Sequence, residues 1–371
     1  MQFTCNKDIL IKEINAAQKI ITQKNQITII SNVLLECDND KLTIKATDTK
    51  LRFETDIPVI THKKGKIALF CDRFAQILKA LPNGDLHIET LNEQVSISII
   101  KYPSIQYQLR YQNPENFPWS EDPTQEEFFP FPKKDFIHMI NQTIFAVSND
   151  EMRIFLNGVF MEKIENQFIM VATDGKRLSY INKNLETSSI DFHGIIIPPK
   201  FLQLIKDLSY GQEGEIHLAI KDNHIYTQFD GLKISSSLID GQFPAYKRAI
   251  PEHQDHSFIA NKHEFIDAVK RMTIMADPKS KRIYLEIKEG ILHFHVEESK
   301  SGNASDAIPI NYNGPNMPFA FNFEHLLEPL RVMTGDNIRI KFTHTDKAIT
   351  LSSEPEEEYF HVIMSMQIEN N

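Results

Sequence analysis

The chain is poor in cysteine: three residues, Cys5, Cys37 and Cys71, with no close pair and no C-x-x-C spacing among 371. That argues against a disulfide framework or a thiolate zinc site and fits a reducing cytoplasm. No stretch approaches the roughly 18 uninterrupted apolar residues that a membrane-spanning helix needs, so no membrane partner is expected. The opening Met1-Gln2-Phe3-Thr4-Cys5-Asn6-Lys7 lacks the apolar core of a secretory signal, and a cytoplasmic location is expected. Positive charge is in deficit, with 40 Lys and Arg against 50 Asp and Glu, a net −10. A simple basic coat for nucleic acid is thereby disfavoured, although one surface can still gather the cations. Walker A, G-x-G-x-x-G and G-x-S-x-G sequences are all missing. His293 and His295 share one face of an expected strand, but Leu292, Phe294 and Val296 form its buried face, which turns the histidines to water. No catalytic residue, metal or cofactor is expected.

What the chain has is an ordinary globular composition, 41% hydrophobic and 24% charged, over a length suited to two or three domains. It also has an internal repeat. Residues 133–147 predict an amphipathic helix with Phe136, Ile137, Ile140, Ile144 and Val147 on one face. The same pattern stands 126 residues earlier in Leu10, Ile11, Ile14 and Ile21, and 129 residues later in Phe265, Ile266 and Val269. Ala46-Thr47-Asp48-Thr49-Lys50 recurs as Ala172-Thr173-Asp174-Gly175-Lys176, and the third copy lacks it. An aspartate after threonine in such a turn reads as an acceptor for backbone amides.

A second helix carries Phe74, Ile77, Leu78 and Leu81, then Phe201, Leu204, Ile205 and Leu208, then Leu326, Leu327, Leu330 and Met333. Each copy is followed by a Gly-acidic turn and a strand, at Gly84-Asp85, Gly214-Glu215 and Gly335-Asp336. The first two repeats close alike, with Asn116-Phe117-Pro118 and Gln242-Phe243-Pro244. Alternating runs such as Val95-Ser96-Ile97-Ser98-Ile99 predict antiparallel strands with one buried face. The expected architecture is α+β: three repeated domains, 1–125, 126–253 and 254–371, each with two helices on antiparallel sheets.

Charge is distributed unevenly over these elements. Residues 7–24 hold four basic and two acidic groups, and five of the six expected helices are net positive. Together they sum to +5 in a chain of −10, with Lys12, Lys19, Lys79, Lys206, Lys270 and Arg271 in the surplus. Cations favour helices and solvated faces anyway, yet five of six with one sign also fits a shared surface facing a polyanion. At the other extreme of polarity, the C-terminal Tyr359–Ile368 carries Met364 and Met366, soft side chains suited to an adaptable apolar groove or to a last core strand.

The repeat layout, Leu156-Asn157-Gly158, Ala172-Thr173-Asp174-Gly175-Lys176-Arg177-Leu178, the run Leu238–Arg248 and the Val-Ile-Met-x-Met ending together resemble the bacterial DNA polymerase III beta subunits, the sliding clamps of the DNA clamp family. The likeness covers the whole chain. It implies a head-to-tail homodimer ring that encircles double-stranded DNA without reading sequence and makes the replicative polymerase processive, with no catalytic site of its own. It also implies docking of the polymerase III alpha subunit, the clamp loader complex, and other polymerases and repair proteins, through an extended peptide with a glutamine and apolar anchors. The matching pocket positions are Leu156, Thr173, Gly175, Leu178, Pro244, Arg248, Ala249, Asn322, Ala348, Val362, Met364, Ser365 and Met366.

DNA contacts carried over by the resemblance are Lys24, Arg73, Asn149 and Lys200. At the dimer seam, Ile274 and Met275 would meet Tyr107 and Leu109 of the partner. The family's usual Met-Pro-Met-Arg-Leu ending is Met-Ser-Met-Gln-Ile here, followed by Glu369-Asn370-Asn371, which removes a proline and a charge from the pocket rim. Two other classes compete with this reading. A hydrolase or metal enzyme would need clustered Asp, Glu or His within one repeat, and a docking scaffold that never encircles DNA could remain a monomer.

Overall fold

The computed structural model describes residues 1–21, 28–119, 127–185, 192–209, 211, 213–299 and 302–368. Six helices follow strands at once or after a single residue. They are α1 (Lys7–Gln18), α2 (Cys71–Ala80), α3 (Lys133–Thr143), α4 (Pro199–Leu208), α5 (Lys262–Thr273) and α6 (Phe323–Val332). Their starts are encoded locally. Asn6, Asn261 and Asn322 each accept hydrogen bonds from the first-turn amides of α1, α5 and α6, and Pro199 opens α4. One face of each helix is apolar and buried: Phe201, Leu202, Leu204, Ile205 and Leu208 in α4, for example, and Phe265, Ala268, Val269 and Met272 in α5.

The helix expected over 133–147 stops at Thr143 and tightens into a 3-10 turn, Ile144–Ala146. The Thr143 hydroxyl donates to the Met139 carbonyl at 2.8 Å, a side-chain bond that competes with the helical ladder. The positive surplus of the first helix also shrinks. The helix ends at Gln18, so Lys19 lies past it, and Lys24 is outside the described residues.

The chain folds into two compact units, one made of 1–134 with 200–238 and the other of 135–199 with 239–371. The middle repeat is thus shared between them. In the first unit a 13-stranded antiparallel sheet joins two repeats where Leu51–Pro58 pairs with Leu232–Ser237, Phe53 opposite Ile234. In the second unit an eight-stranded sheet does the same where Arg177–Asn184 pairs with Tyr359–Ile363, Leu178 opposite Val362. A separate four-stranded sheet runs in the order Gly302–Pro309, Ile291–Ser299, Arg282–Lys288, Met317–Asn322.

Both junctions use the same pieces. A strand following the first helix of one repeat takes the last strand of the next repeat. By that rule the counterparts in the last and first repeats are Gly302–Pro309 and Tyr102–Gln112. Among the described residues these two strands do not pair with each other. Gly302–Pro309 is the outer strand of its sheet, next to Ile291–Ser299. Tyr102–Gln112 pairs along most of its length with Gln94–Ile99, touches Gly65–Phe70 only at Tyr111 and Gln112, and buries none of its residues.

The first helix position of each repeat is a lysine, and in the first and third repeats it caps the other helix of that repeat. The Lys7 ammonium donates to the Leu81 carbonyl at the C-cap of α2 (2.9 Å) and to Asn83 (2.8 Å). Lys262 does the same for Met333 at the C-cap of α6 (3.0 Å), while Lys133 reaches Asp230 at 2.7 Å. A cation there satisfies an orphan carbonyl and complements the helix dipole. Of the surface cations expected to face a polyanion, Lys12, Lys19, Lys270 and Arg271 have carboxylate partners within 4 Å. Lys79 and Lys206 have none among the described residues.

Candidate docking site

A cavity of about 480 Å³ opens in the second unit, and its walls come from four chain segments. One is the turn after strand Gln167–Thr173. There the Thr173 hydroxyl donates to the Arg177 carbonyl (2.5 Å) and accepts from the Gly175 amide (3.0 Å), while Asp174 Oδ1 accepts from the amides of Lys176 (2.8 Å) and Arg177 (3.1 Å). The amide-accepting role expected of this aspartate is what the structure shows. Asp48 repeats it in the first copy, accepting from Lys50 (3.1 Å) and Leu51 (2.8 Å).

Glycine suits position 175 on two counts. Its φ is +88°, and a Cβ there would lie 2.9 Å from the Arg153 guanidinium. Arg153 is itself held by Asp150 at 2.8 Å, the second wall being the loop and 3-10 turn that end at Leu156.

The third wall is the segment from Pro244 through the turn Tyr246–Ala249. Tyr246 anchors it by donating its hydroxyl to Glu162 at 2.6 Å. Burial and that carboxylate push the phenol far up, so it stays a donor. The fourth wall is the end of strand Tyr359–Ile363, where the Met364 amide donates to the Lys176 carbonyl at 2.9 Å. Beneath the opening, Leu156, Ile169, Val171, Leu178, Ile196, Phe243, Tyr246 and Val362 form one buried apolar cluster. Phe160 and Phe243 stack within it at 4.7 Å. Lys176 and Arg248 stand exposed at the rim with no carboxylate partner among the described residues.

Nine of the residues picked from sequence line this cavity: Leu156, Thr173, Gly175, Leu178, Pro244, Arg248, Ala249, Val362 and Met364. Four do not. Asn322 is engaged in capping α6, Ala348 packs against the apolar cluster, the Met366 amide is drawn to the Ala320 carbonyl (2.7 Å), and Ser365 is half-buried beside it. Arg153, Phe155, Lys176, Arg177, Ala245 and Tyr246 also line it. Apart from Arg153 and Phe155, these lie inside the motifs already singled out, and Phe155 adjoins Leu156.

The other expected positions lie elsewhere. Arg73 and Asn149 are exposed, and Lys24 falls outside the described residues. Lys200 is already engaged, its ammonium 2.5 Å from Asp48 and 2.8 Å from the Ile20 carbonyl. Ile274 is 79% exposed and Tyr107 38%, while Leu109 and Met275 are half-buried. The described residues hold no group of three metal-ligating side chains, and no helix is long and apolar enough to cross a membrane. His293 and His295 are half-buried beside a buried Leu292, Phe294 and Val296, with His295 stacked on Tyr284 at 5.0 Å.

Family models of the DNA polymerase III beta subunit match three successive stretches, the N-terminal domain at 1–121, the central domain at 131–245 and the C-terminal domain at 247–367. The beta sliding clamp of Treponema pallidum (strain Nichols) is 40% identical over 375 residues, spanning all of both chains. That of Pseudomonas aeruginosa is 24% identical, covering 99% of this chain and all of its own. Among solved structures, the Bartonella birtlesii clamp bound to griselimycin is 25% identical with a TM-score of 0.94, covering 99% of this chain and 100% of that one. The Bacillus subtilis clamp, at 22% identity, shares the fold with a TM-score of 0.94 over the full length of both. With full-length identity to one such protein and all three domain models in order, the chain belongs to the DNA polymerase III beta subunit family, the beta sliding clamps, which serve DNA replication as processivity factors and not as catalysts.

Proposed function

We propose that two copies of this chain close head to tail into a ring around duplex DNA, with domains 1–125, 126–253 and 254–371 in each copy, acting in the cytoplasm. The observation that carries the reading is a pair of strands that stand where a third junction would form. Two repeat junctions are made inside the chain by one pairing rule, and the pieces for a third, Tyr102–Gln112 and Gly302–Pro309, are present, each paired in its own sheet over most of its length on one side among the described residues. An interface between unlike surfaces closes into a ring when its rotation permits, and closure removes exposed sheet edges. Tyr107 and Leu109 lie on the first of these strands. Met275 packs near Gly302 on the second, beside the exposed Ile274. Arg73, Asn149 and Lys24 would touch the phosphates weakly enough to slide, a contact that salt screens.

The cavity would take an extended peptide carried by polymerase III alpha, the clamp loader and other polymerases or repair proteins. Its apolar floor suits leucine-class anchors, and the exposed Lys176 and Arg248 favour carboxylates flanking them. Retention on nicked circular plasmid, loaded with the cognate clamp loader and ATP, tests the ring. The clamp is expected to stay on the circle and to be lost once the plasmid is linearised. Equal retention on both forms would mean surface binding and remove the ring.

A further inference from the structure

Arg177 lines the cavity, yet its guanidinium is spent elsewhere. Nε donates to Asp174 at 3.1 Å, Nη2 to the Phe145 carbonyl at 2.7 Å, and Nη1 to Glu328 of α6. Its cation also lies 5.5 Å from the centre of the Phe145 ring, and the side chain is only 11% exposed. Three acceptors in three directions leave a planar guanidinium no free rotation. The same Asp174 closes the turn that shapes the cavity rim, so Arg177 binds that turn to α6. Glu328 does not line the cavity and is the only one of these acceptors contributed by the last repeat.

We propose that Glu328 is a positioning residue for the docking cavity. It fixes Arg177, and through Arg177 and Asp174 it holds the Thr173–Gly175 rim and the adjoining Leu178 in binding geometry. With Glu328 neutralised, Arg177 keeps one carboxylate and gains freedom to turn into the space whose wall it forms. His325, one turn earlier on α6 and buried, approaches Asp174 at 3.9 Å, and the other charges near the cluster are Lys176 and Arg153, whose guanidinium donates to the Asp174 carbonyl at 3.3 Å. The inference rests on the cavity being the peptide-docking site.

The test is the affinity of the full-length clamp for griselimycin, read by calorimetry, in Glu328→Gln, Arg177→Lys, the double variant and Met364→Ala. Glu328→Gln is expected to weaken binding at least tenfold, with the double variant no weaker than Arg177→Lys alone, because both act through one contact. The dimer mass should stay that of the parent, and the lost ion pair should lower the thermal midpoint by only a few degrees, leaving the variant fully folded at the temperature of the titration. Binding within twofold of the parent, or an affinity loss no larger than the fraction unfolded at that temperature accounts for, overturns the assignment. If Glu328→Gln does not fold, Glu328→Asp, which keeps the charge but shortens its reach, carries the same expectation. A parent that does not bind, or an unaltered Met364→Ala, removes the docking reading and this assignment with it.

Discussion

An ammonium group that already holds a carboxylate and a carbonyl has little left to offer a phosphate. Lys200 is in that state, bound to Asp48 and the Ile20 carbonyl, and acts as a strut within the first unit. Lys200→Met is therefore expected to lower stability by about 1 kcal/mol, the worth of a charged hydrogen bond reduced by solvent at a partly exposed side chain. The salt dependence of DNA retention should not change. A direct phosphate contact would instead flatten that dependence by about one unit of slope, which a salt titration reads. His361 makes the second case. It is fully buried, and burial, aided by the Arg177 charge, pushes its imidazole down to about 3. The unfolded chain takes up a proton near pH 6.5 and the folded one does not. The stability tied to the neutral ring is thus fully present above pH 6.5 and is lost as pH falls toward 3. His361→Gln should flatten the pH dependence of the denaturation midpoint in that window.

At the scale of elements, the Thr-Asp turns of the first two repeats are the same device with one difference. Gly175 holds a φ of +88°, and its counterpart Thr49 is forced to +83°, where a β-branched side chain is strained. Thr49→Gly should raise the urea midpoint, a gain of about 1 kcal/mol, whereas Gly175→Ala should lower it. These turns were legible because residue type dictates them: an aspartate two residues before an amide it can accept from makes the turn wherever it falls. The apolar helix faces were legible from their spacing, another local signal, whereas the asparagine caps at Asn6, Asn261 and Asn322 came only with the structure. The link from Arg177 to Glu328 was not legible either, since 151 residues separate two ordinary charges that only the sheet junction brings together. Asn322, picked for the cavity, turned to its own helix, because a capping asparagine is engaged before any partner arrives.

At the scale of the whole molecule, Ile274 is 79% exposed and Tyr107 38%, and Leu109 is half-buried. The proposed dimer would cover all three. Leu109→Asp combined with Ile274→Asp places like charges in the expected seam and is predicted to give a folded species of 42.9 kDa by light scattering, where the parent gives twice that mass. A parent that stays monomeric at micromolar concentration would count against the closed ring. The repeat count was visible in sequence, but the rule that joins the repeats was not, because strand pairing between distant segments leaves no periodicity behind.

That rule sets where a ring of these chains would part. The junctions at Leu51–Pro58 and at Arg177–Asn184 tie segments of one polypeptide, whose effective concentration is fixed by the chain and does not fall on dilution. In the proposed ring the third junction, built from strands of the same kind, would have no covalent link and would answer to mass action. With comparable contacts at all three, dilution or a loader pulling on the ring would separate the first repeat of one copy from the last repeat of the other and leave the internal joins shut.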